Sequence, residues 1–106
     1  MKTHEEIVAV CKMLGDRTRL EIVQLLLQEE QCICELVEHF KISQPAISKH
    51  IRKLKETGML LERKQSQWKH YRFNEAYASY DLVKTICKDL EKSDKKSEMN
   101  CSDTTI

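Results

Sequence analysis

Apolar side chains recur at helical spacing over most of this chain and at strand spacing only in a short stretch. Ile7, Val8, Cys11 and Leu14 predict a helix over 4–14. Gly15-Asp16 stops it, and Asp16 is placed to cap a second helix. Over 17–30, Leu20, Ile22, Val23, Leu25, Leu26 and Leu27 leave little of the circumference polar, so this helix belongs near the centre of a core. Gln31-Cys32-Ile33 reads as extended, and Leu36, Val37 and Phe40 predict a short helix from about Cys34. After the turn Lys41-Ile42-Ser43 comes a longer helix. Ser43 is its N-cap, and Pro45 stands in the first turn, where a missing N–H costs nothing. Ile47, Ile51 and Leu54 form its buried stripe as far as about Thr57, and Gly58 is the expected left-handed residue after its end. Two strands, 60–64 and 69–73, flank the polar tip Gln65-Ser66-Gln67. A last helix over 76–91 places Tyr80, Val83, Cys87 and Leu90 on one face. The expected fold is mainly α with a small β-hairpin, one domain over 1–91. A Lys/Ser/Asp-rich tail over 92–106, which holds Cys101, is expected to be disordered.

Composition agrees with one domain. The chain has 106 residues, 41% hydrophobic and 33% charged, too apolar for global disorder and too charged for a membrane protein. No window approaches the roughly eighteen apolar residues of a membrane helix, and the opening Met1-Lys2-Thr3-His4-Glu5-Glu6 does not read as a signal peptide. These features point to a cytoplasmic protein without a membrane partner. The net charge of +1 hides a strong asymmetry. Residues 1–40 carry 4 basic and 8 acidic groups, residues 41–72 carry 9 and 2, and residues 73–106 carry 5 and 7. A block of net +7 between acidic flanks is the footprint of a phosphate-backbone binder.

That block contains a short helix, a three-residue turn and a longer helix, the dimensions of a helix-turn-helix. With Ile47 at zero and about 100° per residue, Ile51 and Leu54 fall within about 40° of it. Pro45, Ser48, Lys49 and Arg52 fall on the opposite side. Such a face suits the major groove: Gln44 can pair bidentately with adenine, Ser48 can donate or accept, and Lys49 and Arg52 can reach guanine or phosphate. Ser43 and Lys53 complete the candidate DNA-binding face. The hairpin adds Arg63, Lys64, Lys69 and Arg72 and reads as a wing on the flanking backbone or minor groove. Trp68 and Tyr71 are expected to pack the hairpin onto the core, and His50 to face inward.

Three segments, Leu14-Gly-Asp-Arg-Thr-Arg-Leu-Glu-Ile22, Cys32-Ile-Cys-Glu-Leu36 and Ser43-Gln-Pro-Ala-Ile-Ser-Lys-His-Ile-Arg-Lys-Leu54, occur in that order. Together they resemble the ArsR/SmtB family of winged-helix metalloregulatory repressors, over roughly residues 5–90. The resemblance implies a winged helix-turn-helix that acts as a homodimer through its first and last helices and binds double-stranded operator DNA, with no catalytic role or catalytic cofactor. The apolar stripes on both terminal helices agree with such a dimer. Lys41 and Ser66 stand where the family commonly has glycine.

Five cysteines, at 11, 32, 34, 87 and 101, are read as thiols rather than a disulfide framework. In a regular helix Cys32 and Cys34 would point about 200° apart, but at an extended-to-helix junction their sulfurs can converge. The positive end of the helix there favours thiolate. An ion closing on both would pull on the helix that supports the recognition helix. The pair resembles the family's CxCD-type box, with Glu35 in place of aspartate. Val37 occupies the position of a third cysteine found in some members, so the site recruits a third thiolate elsewhere, with Cys11 the first choice and Cys101 the alternative, or binds with two. Cys87 reads as core. Arsenite and antimonite favour three thiolates, whereas Cd(II) and Pb(II) favour four ligands, so As(III)/Sb(III) is the preferred inducer and Cd(II) or Pb(II) the alternative. The family's other site requires histidine on the last helix, which has none. Thiol oxidation is an alternative input. A CxC reductase is disfavoured, because a ring closed across one residue is strained and no βαβ pattern surrounds it.

Overall fold

A computed structural model describes residues 2–90. The elements run α1 His4–Leu14, α2 Arg17–Gln28, β1 Gln31–Cys32, α3 Ile33–Phe40, α4 Gln44–Glu56, β2 Leu60–Gln65 and β3 Trp68–Phe73, followed by helical residues 80–90, here α5. The expected tail over 92–106, with Cys101, lies outside the described residues.

Local chemistry starts each helix. Thr3 and Glu6 form a reciprocal capping box at α1. The Asp16 carboxylate accepts from the Arg19 N–H at 3.0 Å, and this bond holds its carboxyl below the usual value. The Ser43 hydroxyl accepts from the Ala46 N–H, with Pro45 in the first turn of α4. Gly58 takes φ +89° just past the end of α4, where backbone conformation rather than space demands glycine: an added Cβ would meet only Tyr77 Cδ1, at 3.9 Å. Lys41 and Ser66, at the two positions where glycine is common, adopt φ 57° and 62°. Each therefore carries the left-handed penalty, about 1–2 kcal/mol for a residue with a Cβ.

Leu36, Ile47, Ile51 and Leu54 lock α3 and α4 together and join Ile22, Val23 and Leu26 of α2 in a single core, with Val10, Val83 and Cys87 contributed by α1 and α5. The three-stranded sheet has the order β1-β3-β2, all pairs antiparallel. Only two of its strands belong to the hairpin. The third is the two-residue β1, with Gln31 opposite Tyr71 and Cys32 opposite His70.

Two expectations are corrected. Residues 75–79 are turns and α5 starts at 80, not 76. The Asn74 carboxamide oxygen accepts from the Ala76 N–H at 3.0 Å and its backbone carbonyl from Tyr77, so the side chain holds the backbone in a turn. Trp68 is 50% exposed at the wing tip, whereas Tyr71 is buried. Alternation along β3 turns Tyr71 and Phe73 inward, and Trp68, next to the tip, extends beyond the core.

Burial, reinforced by the Glu62 carboxylate at its hydroxyl, pushes Tyr71 up to about 12. Its folded value is raised, so its contribution to stability is complete below the unfolded value near 10 and is lost as pH rises toward 12. Thermal melts between pH 9 and 12 should show this loss, and Tyr71→Phe should flatten it. A parallel decline in the variant would dismiss Tyr71 as the group responsible.

Candidate nucleic-acid interface and thiol site

The outward face of α4 is assembled as its periodicity dictates. Gln44, Pro45, Lys49, Arg52 and Lys53 are exposed, Ser48 is half-buried, and Ile47, Ile51 and Leu54 lie beneath. The N-cap Ser43 is also exposed. Between α4 and the wing runs a cleft of about 290 Å³ lined by Ser48, Ile51, Arg52, Lys55, Glu62, Lys69 and Tyr71. Lys55 and Glu62 were not singled out as site residues from the sequence. The Lys55 ammonium donates to the Glu62 carboxylate at 2.7 Å, and this bond holds Glu62 below the usual carboxylate range. The positive charge of Lys55 is thus partly compensated, while Arg52 and Lys69 flank the cleft.

The pleat divides the four wing cations. Lys64 and Lys69 are register partners on the side that Tyr71 turns toward α4. Arg63 and Arg72 alternate to the other side. The Arg63 guanidinium is already committed: it donates to both oxygens of Glu30, at 2.6 and 3.0 Å, and to the Gln65 carboxamide at 2.9 Å. Sequence spacing gave no sign of this bond, which spans 33 positions. His50 faces inward, its Nδ1 3.5 Å from Arg19 Nη1, and burial pushes it below its usual value. Arg19 also donates to the Lys12 and Met13 carbonyls, tying the end of α1 to the inner side of the recognition helix.

Cys32 is at once the last residue of β1 and the N-cap of α3. Its sulfur accepts from the Cys34 N–H at 3.2 Å, while the Glu35 carboxylate accepts from the Cys32 N–H at 2.6 Å. Glu35 therefore closes a capping box, a role its extra methylene lets it reach from the third helical position. Cys32 is buried and Cys34 exposed, with Cα atoms 5.4 Å apart and the sulfurs paired as a disulfide. The expected convergence is present. The expectation that these cysteines stand as unpaired thiols is corrected. The chain passes from extended Cys32 (ψ 152°) into helix, and that bend turns both sulfurs to one side.

The third donor is not supplied among the described residues of one chain. Cys11 is exposed on α1, Cys87 is buried, and among the described residues no three His, Cys, Asp or Glu side chains gather to hold an ion.

Residues 16–60 match the model of the family described as "Bacterial regulatory protein, arsR family". The chain is 49% identical over 69 residues to the arsenical resistance operon repressor of Escherichia coli (strain K12); the match covers 63% of this chain and 58% of that relative. It is 32% identical over 99 residues to the arsenical resistance operon repressor of Staphylococcus xylosus, covering 84% of this chain and 95% of that one. Among solved structures it is similar to the transcriptional repressor BigR from Xylella fastidiosa. That likeness has a TM-score of 0.74 and 27% identity, covering 84% of this chain and 87% of the other.

Proposed function

Because the chain belongs to the arsR family of bacterial regulatory proteins, we propose that it is an operator-binding repressor of a metalloid-resistance operon, released from DNA when As(III) or Sb(III) binds the reduced thiols of Cys32 and Cys34. The family is one of transcriptional regulators, not enzymes. The carrying observation is the convergence of two sulfurs at the N-cap of α3, the helix that packs on the recognition helix α4. An ion bound there replaces the Cys34 N–H at the Cys32 sulfur and re-aims the first turn of α3. Leu36, wholly buried in that helix, carries the change into the packing of Ile47, Ile51 and Leu54. Gln44, Ser48, Lys49 and Arg52 then lose their register in the major groove. Anisotropy of a labelled operator duplex, titrated with the protein and then with arsenite, tests the proposal. Undiminished binding under saturating arsenite would sink it.

The relatives named for arsenical resistance support a metalloid input. The donor chemistry agrees, since two thiolates at a junction leave a pyramidal ion one thiolate short, and a four-ligand Cd(II) or Pb(II) site two short. With no third donor among the described residues of the same chain, we assign it to Cys11 of a second copy, with Cys101 as the alternative.

The second copy follows from the terminal helices. Ile7 and Val8 of α1 are 38% and 49% exposed, and Ile86 of α5 37%. Such faces gain by pairing about a two-fold axis, which also presents two recognition helices to a palindrome. Val8→Glu should shift sedimentation from dimer to monomer without unfolding the chain, because Val8 is not part of the core. An unchanged dimer would place the interface elsewhere.

The paired sulfurs also favour a second input. Peroxide would oxidise two thiols to a disulfide, with reduction to two waters and loss of both thiol protons. On that reading peroxide releases DNA without arsenite, and dithiothreitol restores binding. Indifference of operator affinity to peroxide would exclude it. Both readings place the working domain in the cytoplasm and confine it to residues 1–91.

A further inference from the structure

The thiol site is joined to the wing as well as to the helix-turn-helix. Cys32, His70 and Arg63 form one row across the three strands: Cys32 is the register partner of His70, and His70 of Arg63. Partners in such a row project from the same face. Two residues before Cys32, Glu30 receives the two-pronged Arg63 bond, so the segment leading into β1 is fastened to β2 across the intervening β3. The carboxylate is 28% exposed and the guanidinium 50%. Exposed ion pairs usually contribute little, but a bidentate arginine–carboxylate fork resists displacement in both distance and angle.

We propose that the Glu30–Arg63 fork transmits ion capture at Cys32 and Cys34 to the wing, with Arg63 a positioning residue rather than a phosphate contact. The inference rests on the thiol reading above. A strand of two residues cannot absorb a shift of Cys32 internally, so the shift passes sideways to His70 and back along the chain to Glu30. Arg63 follows Glu30. Its neighbour Lys64 and the neighbour of His70, Lys69, are the register pair on the α4 side of the wing. Moving the two tethered positions therefore moves the two wing cations aimed at DNA.

The test uses the full chain, an operator duplex obtained by selection from a random library, and arsenite as the probe. The quantity read is the ratio of operator Kd with and without saturating arsenite. Glu30→Gln and Arg63→Ala should each lower that ratio about three- to five-fold, the size of a modest coupling between sites. Both should bind the same number of arsenite equivalents as the parent. The single tryptophan, Trp68, lies on β3 and reports without DNA. Arsenite should change its emission in the parent and change it less in both variants. Parental ratios in both variants would overturn the proposal. It would equally fail if Arg63→Ala weakened binding by one factor with and without arsenite while Glu30→Gln had no effect, the signature of a plain phosphate contact. Release that survives in Cys32→Ser/Cys34→Ser would instead overturn the thiol reading itself.

Discussion

Replacing Cys32 and Cys34 together with serine leaves operator binding within about two-fold of the parent, as expected for changes worth under ~0.5 kcal/mol, and abolishes release by arsenite. The parent should lose affinity about 5- to 150-fold when arsenite is added, the usual span of coupling between two sites. In the variant that ratio falls to one. Serine suits this test because of what Cys32 does structurally. Its sulfur caps α3 by accepting the Cys34 N–H, and a serine hydroxyl is among the preferred acceptors at that position. Glu35 still closes the other half of the box through the Cys32 backbone. Cys34 is exposed, so its substitution creates no cavity. The helix should therefore start as before while soft-ion chemistry is removed, and a thermal melt close to the parent's would verify it. Arsenite release that persists in a folded double variant would move the sensing site elsewhere, with Cys11 the next residue to substitute.

Lys49→Ala with Arg52→Ala should weaken operator binding by about one and a half to four orders of magnitude, since each direct contact is worth about 1–3 kcal/mol. The dependence of log K on log salt should become shallower by about two if both reach phosphate, at about 0.9 per neutralised phosphate. Both side chains are exposed on α4, and the buried stripe beneath them is untouched, so thermal stability should hardly change. Lys55→Ala is the informative companion. Lys55 lines the same cleft but is bonded to Glu62, so its loss should cost less than that of Arg52. If the double alanine variant keeps both affinity and salt slope, the recognition face has been assigned to the wrong side of the helix.

Much of the outward face of α4 was legible because it is written locally. An α4 that starts at Ser43, admits Pro45 in its first turn and ends before Gly58 needs only neighbouring residues to specify it. Its inner and outer sides follow from a fixed rotation per residue. The same holds for α1 and α2, whose ends are set by Thr3, Glu6 and Asp16. The CxC pair was legible as far as its place at an extended-to-helix junction. That the segment before the junction becomes a strand of the wing sheet depends on Cys32 pairing with His70, 38 positions away by their numbers. No short-range pattern encodes that pairing.

The sequence by itself determined the helices, their buried stripes, the basic segment and the CxC pair, because periodicity, capping and charge act between residues a few positions apart. Only the tertiary structure decided what long-range packing controls. It drew Gln31–Cys32 into the wing sheet and spent Arg63 on Glu30. It exposed Trp68 while burying Tyr71, and it left Cys11 exposed on α1. Those outcomes depend on which strands meet and in what register, and a shift of one residue in that register would turn every side chain of the strand to the opposite face.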